Sequence, residues 1–297
     1  MSEAKVGIMT HALHYGTACF DGIRGNWNSD NGTMYLFRIE DHHRRLHKSC
    51  HILKIGLKYS VEEMCRLTVE LVQKNGYQED IYIRPLAYKS AQAVGVRLHD
   101  LEDDFLMFVT PFGPYLDIEK GARCCVSTWR RIGENMIPPR AKVTGLYVNS
   151  ALAKTEAWEN GFDEAILLTN EGHVSEGSGE NIFLVMDGKL VTPPPSQNIL
   201  VGITRDTAIT LAKNELGIET IERTVARNEL YIADECFMTG TAAHLTPIIE
   251  IDHRSVGTGA VGEITGKLQK LFFDVIRGKN PKYIDWCTPV RCSKAAV

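Results

Sequence analysis

Pro139-Arg140-Ala141-Lys142-Val143-Thr144-Gly145-Leu146-Tyr147-Val148-Asn149-Ser150 is the stretch on which the reading turns. It sets one lysine among small and β-branched residues, just ahead of a helical pattern, NSALAKTEAWENG (149–161), that Gly161 closes as a C-terminal cap. Such a lysine has two readings. As structure it is a solvated ammonium. As chemistry, partial burial lowers its pKa by desolvation and supplies the free amine that a Schiff base needs. Spacing alone leaves both open.

Three segments downstream carry chemistry of a related kind. SEGSGENIF (175–183) has glycines for a tight turn and two carboxylates, Glu176 and Glu180, beside an apolar strand. Structurally it is a hairpin turn; chemically, a carboxylate there can hold a heterocyclic N–H. LVGITRDTAI (200–209) opens a helix at Gly-Ile-Thr, and its first N–H groups and dipole make an anion site, as at any helix start. MTGTAAHLTP (238–247) reads as a strand ending in a turn whose backbone N–H groups can bind a carboxylate or phosphate.

Two other features point away from chemistry. Gly257-Thr258-Gly259-Ala260-Val261-Gly262 is literally G-x-G-x-x-G. No second strand ending in an acid follows it, so a glycine-rich turn is the better reading than dinucleotide binding. His42, His43 and His47 sit with Glu40 and Asp41, but also with Arg44, Arg45 and Lys48, whose charges oppose a metal cation. A polar helix face is expected there, and no metal.

Around these segments the chain reads as α+β. MYLF (34–37) is a strand, DHHRRLHKSCHILKI (41–55) a helix, and Ser60-Val61-Glu62-Glu63 a capping box opening a helix through LTVELVQKN. DIYIRPLAY and DFLMFVT are strands. PFGPYLDIEKGA (111–122), rich in Pro and Gly, reads as the connection between domains. The later part is richer in strands: RCCVSTWR, then hairpins turning at Asn170-Glu171-Gly172 and Asp187-Gly188. ETIERTV and ECFMTG are strands, while TRDTAITLAKNELG and EITGKLQKLFFDVI are helices. The boundaries expected are a small α+β domain over 1–112, a loop over 113–121 and a large domain over 122–297.

The bulk numbers fit that plan. At 297 residues, two domains are the natural expectation. A net charge of −4 with 24% charged residues gives no electrostatic footprint for nucleic acid or an anionic membrane. No apolar run approaches the roughly 20 residues of a membrane span, and the first residues lack the pattern of a signal peptide. The eight cysteines are read as reduced, in keeping with a cytoplasmic protein, although Cys287 and Cys292 are near enough in sequence to pair.

Taken in order, HYGTACFDGIR, FRIEDHHRRLHKS, YIRPL, PPRAKVTGLYVNS, SEGSGENIF, GITRD and FMTGTAAHLTP resemble the fold-type IV enzymes of pyridoxal 5′-phosphate (PLP) over about residues 10 to 275. HYGTACFDGIR is closest to the signature of the branched-chain amino acid aminotransferases, with Asp21 where that signature has Glu. The resemblance implies a two-domain fold, with a small α/β N-terminal domain and a larger β-barrel-like C-terminal domain with helices. It implies Lys142 as the Schiff-base lysine, Tyr147 on the cofactor's phenolic oxygen and Glu176 on its ring nitrogen. Arg45, Ile203, Thr204 and Thr241 match the phosphate contacts, and Leu200 the residue packed on the ring. Tyr82 and the backbone N–H groups of Thr241 and Ala242 match the substrate α-carboxylate site. Tyr15, Arg84 and Tyr115 match the groups that take glutamate's second carboxylate, and Phe20 lines the side-chain pocket. An unpartnered buried arginine is costly, so Arg84 is expected at the pocket rim, shielded by Tyr15 and Tyr115. Val96 matches a contact donated by a neighbouring subunit, which implies a homodimer. The activity implied is transamination between leucine, isoleucine or valine and 2-oxoglutarate. D-amino acid transaminases, (R)-amine transaminases and aminodeoxychorismate lyases share the fold.

Overall fold

The computed structural model describes residues 4–113 and 116–291. The chain forms two compact units. One holds the residues up to Pro111, the short segment Ala141–Val148 and the chain end from Pro289; the other holds Phe112–Arg140 and Asn149–Thr288. The domain limits expected from the sequence, with everything from 122 onward in one large domain, differ at Ala141–Val148 and at the chain end. The cause at the first return is long-range backbone pairing. Cys19 bridges Val143, Phe20 N donates to Lys142 O at 3.1 Å, and Lys142 N donates to Ser49 Oγ at 3.1 Å. Turn residues cannot announce such pairings.

The first unit runs α1 (His11–Tyr15), β1 (Ala18–Phe20), β2 (Ile23–Asn28), β3 (Thr33–Phe37), α2 (Ile39–Ile52), α3 (Val61–Asn75), β4 (Ile81–Lys89) and β5 (Asp103–Pro111). In its sheet β4 pairs with β5 along one edge and with β1 and β2, end to end, along the other. Ile23, Met34, Leu36, Ile81 and Ile83 from the sheet pack with Val72 of α3. The capping box forms as read: Glu63 N donates to Ser60 Oγ at 3.2 Å and Ser60 N to Glu63 Oε2 at 2.7 Å. Helix α2 starts at Ile39, earlier than its charge pattern suggests, because Arg38 at φ 50° turns the chain into it. The solvated histidine face expected on α2 is corrected for two residues. His42 and His43 are buried; His42 meets Asp21, and His43 Nε2 lies 2.9 Å from Thr68 Oγ1.

The second unit contains β6 (Ala122–Arg130), all but the first two residues of α4 (Tyr147–Glu159), β7 (Glu164–Leu168), β8 (Val174–Gly177), β9 (Asn181–Met186), β10 (Lys189–Thr192), α5 (Ile203–Leu216), β11 (Thr220–Glu222), β12 (Glu235–Gly240), β13 (His244–Ile251), β14 (Arg254–Ser255) and α6 (Glu263–Ile276). The β9–β10 turn has Asp187 at φ 51° and Gly188 at φ 71°, the pair of left-handed residues a two-residue hairpin requires. The strand order is β11–β10–β9–β12–β13–β6–β7–β8. Laid flat, β9 and β8 would stand about 24 Å apart at roughly 4.8 Å per strand. Only Ser178, Gly179 and Glu180 join them, with Gly177 N donating to Glu180 O at 2.6 Å. The sheet must therefore curl on itself, which gives the β-barrel-like body expected. Ile166, Val174, Ile182, Leu184, Met238 and Ile248 fill one face of it. Phe183 and Phe237 stack on the other, with centroids 4.9 Å apart.

The G-x-G-x-x-G run is a turn into α6, with Gly257 and Gly259 at φ 53° and 74°. Glu235 accepts hydrogen bonds there from Ile264 N, Thr265 N and Thr265 Oγ1. The protein's own carboxylate thus occupies the helix start that a pyrophosphate would need. Strand β15 (Cys287–Val290) ends the described chain on β3 of the first sheet, and Val290 is buried in that sheet's core. Cys287 is buried, with Sγ donating to Val275 O, and Cys292 lies outside the described residues. No helix among the described residues is long and apolar enough to cross a membrane.

Candidate active site

In the first unit, Lys142 is half-buried and donates from Nζ to Tyr147 OH at 2.6 Å. The amine also lies 5.1 Å from the Phe20 ring centroid and 5.2 Å from that of Tyr147, and the two rings meet edge to face at 4.8 Å. Aromatic faces attract a cation, so the amine has a defined seat. Its backbone is fixed as well. Besides the bonds to Phe20 and Ser49, Gly145 N donates to Gly16 O at 3.2 Å. Gly16 has φ 63°, and a Cβ there would stand 2.7 Å from Gly145 Cα.

Arg45 meets Asp21 with two parallel bonds, Nε to Oδ2 at 2.9 Å and Nη2 to Oδ1 at 2.7 Å. Gly22 N donates to the same carboxylate at 2.7 Å, and His42 Nδ1 is 2.8 Å away. Burial alone would raise the Asp21 pKa. Arg45 and His42 outweigh it and hold the carboxyl well below the usual range. Burial keeps His42 neutral, so its Nδ1–H donates to a carboxylate that can only accept. Arg45 is thereby aimed by a buried acid 24 residues away in sequence.

Arg84 donates from Nη2 to Tyr82 OH at 3.1 Å, and its guanidinium lies 4.5 Å from the Phe20 centroid and 5.0 Å from that of Tyr82. The described residues place Phe20 and Tyr82, not Tyr15, against it. Tyr15 OH instead accepts from Gly95 N at 3.0 Å, in the loop that leaves Val96 80% exposed. Tyr115 lies outside the described residues.

In the second unit, Glu176 is buried and held on both oxygens. Arg131 Nη2 lies 2.6 Å from Oε1, and Asn181 Nδ2 and Leu200 N each donate to Oε2 at 3.1 Å. Leu200 is therefore placed by its own backbone on Glu176. Two residues on, Gly202 caps α5 without a side-chain bond, and a Cβ there would collide with Asn181 Oδ1 at 2.1 Å. Ile203 and Thr204, both buried, form the first turn of that helix. Thr241 and Ala242 lie half-buried in the turn between β12 and β13. Thr239 Oγ1, paired in register with Asn181, is buried without a hydrogen-bond partner. Glu180 differs from Glu176. Burial first, then the neighbouring Glu164 and Glu176, push its pKa up to about 8, so it is protonated at neutral pH.

Residues 18–251 match the amino-transferase class IV family. The chain belongs to the class IV aminotransferases. A probable branched-chain-amino-acid aminotransferase of Aquifex aeolicus is 50% identical over 290 residues, 98% of this chain and 93% of its own. The crystal structure of the branched-chain aminotransferase of Thermoproteus uzoniensis with norvaline matches with a TM-score of 0.93 at 45% identity, over 97% of this chain and 95% of that one. The branched-chain amino acid aminotransferase of Thermobaculum terrenum in its PLP form matches with a TM-score of 0.93 at 42% identity, over 97% and 94%.

Sequence reading of this class IV aminotransferase did not find Arg131. It sits in Arg130-Arg131-Ile132-Gly133, where nothing separates a buried arginine from a solvated one. Asp21 was visible only as a departure from a signature; its grip on Arg45 and His42 is made by folding across more than 20 residues.

Proposed function

We propose that the protein is a PLP-dependent aminotransferase exchanging the amino group between L-leucine, L-isoleucine or L-valine and 2-oxoglutarate, as a cytoplasmic homodimer with Val96 at the subunit contact. The observation that carries this is the Lys142–Tyr147 pair, an amine held 2.6 Å from a phenol and seated against Phe20. The donor set suits PLP. Lys142 and Tyr147 match its aldehyde and phenolic oxygen, and Glu176, paired with Arg131, its basic ring nitrogen. Arg45, Thr241 and the start of α5 with Ile203 and Thr204 match its phosphate, and Leu200 its ring face. The orphaned Thr239 hydroxyl is a further donor on the Asn181 side of the sheet. The names of the relatives above support the substrates.

Bound through Lys142, PLP supplies an electron sink for charge at the substrate Cα. Lys142 Nζ would remove the substrate's Cα proton and redeliver it, as base and then acid. Tyr147 OH keeps that amine oriented. Glu176 holds a proton on the ring nitrogen's side, and Arg45 keeps the phosphate end in register through both half-reactions. Tyr82 with the N–H groups of Thr241 and Ala242 takes the α-carboxylate. Phe20 packs on an apolar side chain, and Arg84, with Tyr15 and Tyr115, takes the second carboxylate of glutamate.

An absorbance spectrum tests the reading. Protein supplied with PLP is expected to show a visible cofactor band that L-leucine bleaches and 2-oxoglutarate restores. A band that responds only to D-amino acids or (R)-amines would replace the substrate class, and absence of any band would remove the cofactor.

A further inference from the structure

We infer that Arg131 is a positioning residue for the reaction: it holds Glu176 as a carboxylate, and the proton on the cofactor's ring nitrogen depends on it. The inference rests on the PLP reading above. Arg131 follows β6 directly, with its backbone N donating to Leu168 O at 2.8 Å. Its side chain turns inward, Nη1 donating to Ser150 Oγ at 3.2 Å and Nη2 lying 2.6 Å from Glu176 Oε1. The two side chains are 6% and 5% exposed.

This arrangement is a poor device for stability. A buried ion pair is often matched or bettered by apolar residues of the same volume, because desolvation costs as much as the attraction returns. Arg131 Nε is moreover buried without a hydrogen-bond partner, a further unrecovered cost. What the arginine supplies is charge. Asn181 Nδ2 and Leu200 N are neutral donors, which favour the carboxylate over the acid less strongly than a guanidinium cation does. Arg131 favours only the ionised form.

Glu180 shows what the same hairpin does to a carboxyl without such a partner. Four residues from Glu176 and as deeply buried, it accepts from Gly179 N at 3.0 Å, has no arginine against it, and stays protonated to about pH 8. Two buried carboxyls in one turn thus have different surroundings: Glu176 has a cation against it, while burial and the neighbouring Glu164 and Glu176 push Glu180 up. A pyridine nitrogen facing the charged one keeps its proton; facing a neutral acid, it would not.

The test uses the protein loaded with PLP labelled with 15N at the ring nitrogen, whose NMR shift separates pyridinium from neutral pyridine. Wild type is expected at the pyridinium position. Arg131→Met is expected to keep the visible band but move the ring nitrogen toward the neutral position. Each unit by which that nitrogen's pKa falls below the working pH leaves about tenfold less of the protonated form, and kcat is expected to drop with it. Glu180→Gln, a change in the same turn, is expected to leave the nitrogen protonated. Should Arg131→Met not fold, Arg131→Gln removes the charge while keeping a donor and carries the same comparison. A ring nitrogen that stays protonated in the charge-removing variant would overturn the inference, as would an equal loss in Glu180→Gln. A wild type that takes up no PLP would instead overturn the reading beneath it.

Discussion

Asp21 shows how far one side chain can govern another. Its carboxylate takes two bonds from Arg45 and one each from Gly22 N and neutral His42. Asp21→Asn leaves a buried guanidinium facing a neutral amide, and loss of about 3–5 kcal/mol is expected in urea unfolding. The pH dependence has a definite sign. The folded-state pKa of Asp21 is lowered, so its stabilisation is present above the ordinary carboxylate pKa and is lost only as pH falls toward the depressed value. The acid side of the stability profile should therefore flatten in the variant; an unchanged acid limb would show that Asp21 does not carry it. Residue-scale legibility follows from sequence distance. Lys142 and Tyr147 stand five apart in one segment, and the resemblance singled out both, though not the bond between them. Arg131 with Glu176, and Asp21 with Arg45, are made by folding across many residues, and no local pattern encodes them.

Between elements, the decisive contact is backbone against backbone. Gly16 ends α1 at φ 63°, and Gly145 passes so near that no Cβ fits. Gly16→Ala should cost at least about 1 kcal/mol for the left-handed conformation, with the collision added, and should weaken PLP retention by shifting the Lys142 segment. Gly217→Ala is the comparison: its φ is 65° but nothing lies within 4 Å of the new Cβ. If both variants lose equal stability and neither loses cofactor, the close approach has no weight. The β8–β9 turn offers a second measurement. Glu180 binds its proton more tightly folded than unfolded, so it makes stability fall as pH rises from about 4.5 to about 8. Glu180→Gln should gain melting temperature over wild type progressively across that window, and a constant difference would count against the neutral acid. Element identity was largely readable where period and caps were strong: α3, α6 and the β9–β10 hairpin stand where they were expected. Strands β1 and β2 were not read, since both are buried on nearly every residue and show no alternation. The curl of the second sheet was expected only from the family resemblance, because it follows from strand order, which no local pattern carries.

At the scale of the whole chain, the first unit is discontinuous. Its sheet and helices come from the residues up to Pro111, yet Ala141–Val148 and Val290 belong to it. A fragment of residues 1–112 is expected to lack a cooperative unfolding transition in urea, because it leaves Cys19, Ser49 and the sheet edge at β3 without their partners. A sharp two-state transition in that fragment would show the later segments to be dispensable for folding.

That discontinuity also sets a timetable for synthesis. Val290, 1% exposed against the first core, is made about 180 residues after Pro111. At roughly 5–20 residues per second, the nascent chain carries an uncovered apolar edge for about 10–40 s. An unpaired sheet edge held open that long invites pairing with other chains, so the ribosome-bound form is where this protein most needs a chaperone.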